Sequence, residues 1–267
     1  MNTFLELKTQ LLMNNELFRM DGRRALITGG AGGFGVTFAR ALASAGADVA
    51  LVGRRPEPLQ QAAAELSAET GRRIIGIPGD VTDESQVRAA IDVAAAQLGG
   101  IDVLINNAGV NVRKPTTEFT LDDWHHVMDT SLTGAFLFTK YLLPGMITRG
   151  WGRVIHISSM LGWVGLADRP AYTAAKGALI QFARTTALEV ARTGVTVNCL
   201  APGPFMTEIN KPVVNNPTSY QAFLDRIPLG RFGDPQELAG AILFLASSAS
   251  SFMTGSVLTV DGGWTAQ

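Results

Sequence analysis

Seven short apolar runs, each closed by Gly, Asn, Ser or Asp, recur along the chain: RALITGG (24–30), DVALVG (48–53), RIIGIPGD (73–80), DVLINNAG (102–109), GRVIHISS (152–159), VTVNCLAPG (195–203) and SVLTVDGG (256–263). Stretches rich in Ala, Leu, Glu and Gln separate them and read as helices at 33–45, 56–70, 83–98, 121–148, 171–192 and 234–247. An apolar run without alternation suits a strand buried on both faces, and strands spaced by helices imply crossovers that keep them parallel. The pattern predicts an α/β chain: one doubly wound domain over 21–267, a seven-stranded parallel sheet with helices on both faces. The 267 residues suit one domain of that size. In such sheets ligands bind beyond the carboxyl ends of the strands, so the polar strand ends are where chemistry is expected. The region at about 201–233 holds several prolines and little periodicity, and reads as a long irregular loop that could cover the site.

The first strand runs into ITGGAGGFG, a glycine-rich turn ahead of an apolar helix. Glycines allow tight turning and close backbone approach to phosphate oxygens, and a helix N-terminus adds amide donors and a positive dipole end. Two spacings fit: Gly30, Gly32 and Gly35 as G-x-G-x-x-G, or Gly29, Gly33 and Gly35 as G-x-x-x-G-x-G. Placement between a strand and a helix favours a dinucleotide. A free ribose 2′-hydroxyl usually calls for an acidic residue about 20 positions further on. Here the second strand ends in Gly53, Arg54 and Arg55, and an arginine suits a 2′-phosphate, so NADP(H) is favoured over NAD(H). Asp80 could accept a hydrogen bond from an adenine amino group, while Asp83 reads as a helix N-cap.

Tyr172 precedes Lys176 by one helical turn in AYTAAKGALIQ. The two share a helix face, and a neighbouring cation favours the phenolate, making the tyrosine a usable general acid or base. The alternative is a ring packed on a lysine stem.

The formal net charge of −1 supplies no basic footprint for nucleic acid or anionic membranes, and no run is long and apolar enough to span a bilayer, so a cytoplasmic protein is expected. One cysteine, Cys199, in the apolar VTVNCLAP, excludes an internal disulfide and reads as a buried structural thiol. His125 and His126 read as helix surface, with no metal implied. Residues 1–20 carry Phe4, Leu5, Leu7, Leu11 and Leu12 at helical spacing, predicting a helical extension that packs on the body or on another subunit.

With the glycine turn, NNAG at 106–109, SS at 158–159 and the Tyr-Lys pair in this order, the chain from about residue 20 onward resembles the short-chain dehydrogenase/reductase family. The resemblance implies a Rossmann-type fold and transfer of hydride between a nicotinamide and a secondary alcohol or ketone. It selects the spacing Gly29, Gly33 and Gly35, preceded by Thr28, and counts Phe34 and Val81 among the cofactor contacts. It places Asn107, Ala108 and Gly109 on the ribose side and brings Pro202, Gly203, Phe205 and Thr207 beside the nicotinamide. Ser159, 13 residues before Tyr172, would hydrogen-bond the substrate oxygen; Tyr172 would carry the proton; Lys176 would lower the tyrosine pKa and bind the ribose. Ser158 is read as a neighbour. Seven residues after Trp124 the family commonly has an asparagine that holds a water against the lysine, and this chain has Ser131. That water is then held by the hydroxyl, held by opened backbone, or lost. The resemblance also implies a homotetramer with the fourth and fifth helices and the DGGW tail at subunit contacts. Its substrates point to polyols and sugar acids as in gluconate 5-dehydrogenases, with 3-oxoacyl-carrier-protein or small hydrophobic ketone reduction as the alternative and a dinucleotide-binding sensor as a distant third. Asn111, Arg113, Lys114, Arg169 and Asn210 favour a polar substrate; Met160, Leu161, Trp163, Val164, Leu166, Phe205 and Met206 favour an apolar one.

Overall fold

The computed structural model describes residues 16–267, so residues 1–15 of the helical extension expected over 1–20 lie outside the described residues. The strands are β1 Arg24–Thr28, β2 Asp48–Gly53, β3 Ile74–Pro78, β4 Val103–Asn106, β5 Gly152–Ile157, β6 Val195–Pro202 and β7 Val257–Val260. They form one sheet in the order β3-β2-β1-β4-β5-β6-β7. Every pairing is parallel, with Leu26 of β1 beside Ala50 on one side and Leu104 on the other. The order reverses between β1 and β4, and the crevice that reversal opens lies at the carboxyl ends of both strands.

The helices are α1 Gly35–Ser44, α2 Pro56–Thr70, α3 Glu84–Leu98, α4 Leu121–Met128, α5 Gly134–Arg149, α6 Pro170–Val190, α7 Lys211–Val214, α8 Pro217–Leu224 and α9 Ala239–Ala246. Strand side chains alternate between two cores. Ala25, Ile27, Val49 and Leu51 join Phe38 and Leu42 of α1, Leu59 and Leu66 of α2 and Ile242 of α9. Leu26, Ala50 and Val52 join Val87 of α3, Phe138 and Met146 of α5 and Ile180 of α6. Full burial of each such Leu, Ile or Phe contributes about 1.5–3 kcal/mol, which is why both faces of the sheet are covered.

Local chemistry sets the helix ends. Asp83 Oδ1 accepts from the amides of Ser85 (2.8 Å) and Gln86 (3.2 Å) at the start of α3. Thr120 and Asp123 form a reciprocal capping box on α4. Left-handed Gly71 and Gly99 close α2 and α3. At the other end of the domain Met20 is part of the core and the Leu17 carbonyl accepts from the Ala249 amide, so the last residues of the extension are packed on the domain.

Two segments differ from the sequence reading. The helix expected at 121–148 is opened by a π turn over Asp129–Thr133, between α4 and α5. The region at 201–233, read as irregular, holds α7 and α8. Their prolines, Pro212 and Pro217, stand in the first turns, where the missing amide hydrogen costs nothing.

Candidate active site

A cavity of about 340 Å³ opens at the carboxyl ends of β1, β2, β4, β5 and β6. The turn after β1 forms one wall. Gly29 and Gly33 take left-handed φ of 63° and 53°. A Cβ on Gly35 would lie 2.4 Å from the Gly29 carbonyl oxygen, and one on Gly30 would lie 2.7 Å from Leu51 Cβ. Those two glycines therefore serve packing of the turn against α1 and β2. Gly32 and Gly33 have no atom within 4 Å of a Cβ position and both line the cavity, so bare backbone faces the open space. Phe34 lines it as well.

Thr28 faces the strands instead. It is buried, and its Oγ1 accepts from the amides of Asn107 and Ala108, each at 3.0 Å. Asn107 Nδ2 donates to the carbonyls of Thr28 (2.9 Å) and Gly29 (3.1 Å). The pair clamps β1 to β4 across the reversal and fixes where Ala108 and Gly109 enter the cavity wall. Phe205 also turns away from the cavity. Its ring packs edge-on against Phe34 at 5.5 Å, and Gly233 leaves it room. Pro202, Gly203 and Thr207 do line the cavity.

At the far end the wall is made by exposed Arg54 and Arg55 after β2 and by Asp80 and Val81 after β3. Asp80 Oδ1 accepts from the amide and hydroxyl of Thr82, both at 2.9 Å, which fixes the carboxylate in place.

At the other end lie Ser159, Tyr172 and Lys176. Ser159 caps a short turn after β5, its Oγ accepting from the Leu161 amide at 3.1 Å. Tyr172 and Lys176 are one turn apart near the start of α6. Lys176 is buried; its Nζ donates to the Ile157 carbonyl at 2.7 Å and lies 5.5 Å from the centre of the Tyr172 ring. Burial pulls the lysine down to about 8. Burial also pushes the Tyr172 phenol above its ordinary value, opposed by the Ser159 hydroxyl and by the charges of Arg113 and Arg169. The ammonium reaches past the ring to the β5 backbone, and the two arginines place further positive charge toward the phenol.

The π turn buries Ser131, whose Oγ has no hydrogen-bond partner among the described residues. A Cβ on Gly109 would lie 3.4 Å from both Ser131 Oγ and Lys176 Nζ, so the two polar atoms flank that glycine; Lys176 also lines the cavity. Ser158 is a structural neighbour, its Oγ donating to the Lys176 carbonyl at 2.8 Å. Cys199 is buried, its thiol pushed up to about 12 by that burial. His125 and His126 are exposed on α4, and no described helix is long and apolar enough to cross a membrane.

The sequence and the fold are similar to those of known proteins. A family model described as enoyl-(acyl carrier protein) reductase matches residues 29–265. Gluconate 5-dehydrogenase of Gluconobacter oxydans (strain 621H) is 39% identical over 250 residues, which are 94% of this chain and 97% of that protein. The chain belongs to the short-chain dehydrogenase/reductase family. It is an NAD(P)-dependent oxidoreductase acting on CH–OH groups. The 3-oxoacyl-acyl-carrier-protein reductase FabG of Aquifex aeolicus (strain VF5) is 36% identical over 245 residues, 92% of this chain and 98% of that one. Among solved structures, a gluconate 5-dehydrogenase from Burkholderia cenocepacia J2315 in complex with NADP and tartrate superposes with a TM-score of 0.92 at 41% identity, covering 95% of this chain and 99% of that one.

Parts of this dehydrogenase's cavity were not singled out in its sequence. Val110, Thr130, Pro204 and Ile209 line it. They are ordinary residues that reach the wall because the loops after β4 and β6 and the π turn converge there. Their residue types carry no signal for that.

Proposed function

We propose that this dehydrogenase is an NADP(H)-linked enzyme of polyols or sugar acids, interconverting a secondary alcohol and its ketone. The observation that carries the substrate class is Asn111, whose Oδ1 is buried without a partner in the same cavity as Ser159 and Tyr172. Leaving a buried acceptor unmade costs about 1–3 kcal/mol, and a substrate hydroxyl supplies the missing donor. Arg169 and Asn210 line the cavity too, giving a chain of hydroxyls further partners. The relatives named for gluconate support the same class.

The residues present fit a dinucleotide. Open backbone at Gly32 and Gly33 precedes α1, where amide hydrogens and the helix dipole favour phosphate. Arg54 and Arg55, at the end of β2, suit a 2′-phosphate, which supports NADP(H), with NAD(H) as the alternative. When bound, the nicotinamide supplies hydride to the substrate carbon or takes it up.

The chain's own groups manage the oxygen and the proton. In reduction the carbonyl oxygen gains negative charge as its carbon gains hydride, and the Ser159 hydroxyl donates a hydrogen bond to that oxygen. Tyr172 transfers its phenolic proton to the same oxygen, giving the alcohol and a phenolate. Lys176, with one N–H bond spent on Ile157, keeps two to orient the ribose and return a proton toward Tyr172. Its position near 8 makes that proton exchangeable close to neutral pH. Oxidation runs the same steps backward.

A second reading, reduction of a 3-oxoacyl thioester, is favoured by the apolar lining from Met160, Leu161, Leu166 and Phe223. Initial rates with NADPH and NADH against 5-keto-D-gluconate and acetoacetyl thioester separate the two. Preference for the sugar acid supports the polar reading; turnover of the thioester alone overturns it. Tyr172→Phe should retain cofactor binding and abolish turnover, and unchanged turnover would sink the mechanism. A homotetramer is supported by Leu121, Trp124, Phe136 and Ile147 within the fourth expected helix, 121–148, and by Leu188 in the fifth, 171–192, all exposed in the single chain. Trp264 of the DGGW tail, by contrast, is buried within its own chain against Phe223 at 5.3 Å.

A further inference from the structure

Two guanidinium groups act on the Tyr172 phenol, and neither is paired with a carboxylate among the described residues, Asp168 offsetting part of the Arg169 charge from a distance. Arg169 lines the cavity, half-buried, with Nη1 donating to the Ala167 carbonyl at 2.7 Å. Arg113, also half-buried, donates through Nη2 to the Ile209 carbonyl at 2.7 Å and to Asn210 Oδ1 at 3.5 Å, and its Nε is buried with no partner. Neither forms an ion pair among the described residues. The Arg113 charge lowers the affinity of Arg169 for its proton, after the larger effect of burial.

The contrast with the adjacent cation is informative. Lys114 is paired with Asp123 at 2.6 Å. The nearest acid to Arg169 is Asp168, which forms no ion pair. Its backbone is left-handed at φ 63°, the one such non-glycine among the described residues, and its carbonyl accepts from the Lys114 amide at 3.1 Å. The loop after β4 and the turn before α6 are thus tied together while two of their cations stay unpaired beside the reacting groups. Two half-buried like charges that converge are unfavourable alone and become favourable around an anion.

We propose that Arg113 and Arg169 form the carboxylate-recognition site of this dehydrogenase, selecting sugar acids over neutral polyols of the same length. This inference rests on the polyol or sugar-acid reading above and narrows it. A guanidinium meets a carboxylate with parallel N–H donors; Arg169 lines the cavity, and Arg113 stands behind its Ile209 and Asn210 wall with Nε buried and unpartnered. With the carboxylate held there, the hydroxylated chain runs past Asn111 and Asn210 toward Ser159 and Tyr172, which act on a carbonyl further along it.

The test compares 5-keto-D-gluconate with L-sorbose, its analogue with CH₂OH in place of the carboxylate, using NADPH. The readout is the acid-to-neutral ratio of kcat/KM in wild type, Arg113→Gln, Arg169→Gln and Arg113→Lys. Differences in ring closure between the two sugars cancel when this ratio is compared across variants. Each glutamine variant should lower the ratio about ten- to hundred-fold, the worth of a hydrogen bond to a charged group, chiefly through KM of the acid. Arg113→Lys, which keeps charge and loses the planar fork, should recover part of it. Fluorescence titration with NADPH reports whether each variant is folded. A glutamine variant that binds NADPH yet loses both substrates in proportion overturns the carboxylate site. A wild type that prefers L-sorbose, or turns over neither sugar, overturns the sugar-acid reading itself, and that result is read before any variant is made.

Discussion

Replacing Lys176 with methionine should abolish turnover and, at neutral pH, make the protein more stable. Burial holds the lysine at about 8 against an ordinary 10.5. Between those values the unfolded chain binds more protons than the folded one, so stability rises with pH through that window. Below about 8 the ammonium is charged in both states and the full cost of burying it is carried. The gap corresponds to about 3 kcal/mol at pH 7. Methionine forgoes the bond to the Ile157 carbonyl, about 1 kcal/mol, which leaves a net gain of about 2 kcal/mol. By pH 9.5 the wild-type lysine is neutral in the folded state and has recovered about 2 kcal/mol, so the advantage of methionine all but vanishes. Urea unfolding of the cofactor-free proteins at pH 7 and pH 9.5 measures this. With a slope of about 3 kcal/mol per molar, the midpoints should differ by about 0.7 M at pH 7 and nearly coincide at pH 9.5. A difference of the same size at both pH values would refute the account, because it would mean that the lysine's charge is not what burial penalises.

Three further changes address other parts of the site. Ser131→Asn places a second polar atom where a buried, unpartnered hydroxyl flanks Gly109 beside Lys176; turnover should be kept or raised, and a loss of more than about tenfold would point to a different proton relay. Arg54→Glu should lower the NADPH-to-NADH ratio of kcat/KM by about tenfold or more, since a carboxylate repels a 2′-phosphate; an unchanged ratio would place cofactor selection elsewhere. Gly35→Ala drives a Cβ to 2.4 Å from the Gly29 carbonyl oxygen; thermal unfolding should show about 1–3 kcal/mol lost and fluorescence titration weaker NADPH binding, whereas wild-type values in both would mean that the turn relaxes freely.

How much of this could be read from the sequence depends on how local each cause is. The helices at 56–70 and 83–98 were legible end to end because Pro56 and Asp83 start them and Gly71 and Gly99 stop them, all within the segment itself. The strands were legible because burial on both faces forces a continuous apolar run. The π turn was not: Asp129–Thr133 contains no helix breaker. The turn is tied to contacts distant in sequence, since a Cβ on Gly134 would meet Val81 at 2.9 Å. The prolines of 201–233 were legible as residues and misread as breakers. Pro212 and Pro217 begin helices, a distinction that depends on which side of the proline the helix lies.

The same rule divides the site. The i, i+4 spacing places Tyr172 and Lys176 on one face of α6, which sequence reveals, but the direction of the ammonium is decided by the Ile157 carbonyl on β5, which it does not. Further charge toward the phenol comes from Arg113 and Arg169, on the loop after β4 and the turn before α6, which the Lys114–Asp168 backbone hydrogen bond ties together. A physical ordering follows. Thr28, Asn107 and Gly35 are held by strand clamping and close packing, so a change there disturbs the fold. Lys176 works against stability, so relief of that cost comes with loss of chemistry. Arg113 and Arg169 line loops, are absent from the three hydrophobic cores, and have donors to spare. Under the carboxylate-site proposal, substitution at these two arginines therefore redirects substrate choice while the sheet and the cofactor turn stay as they are.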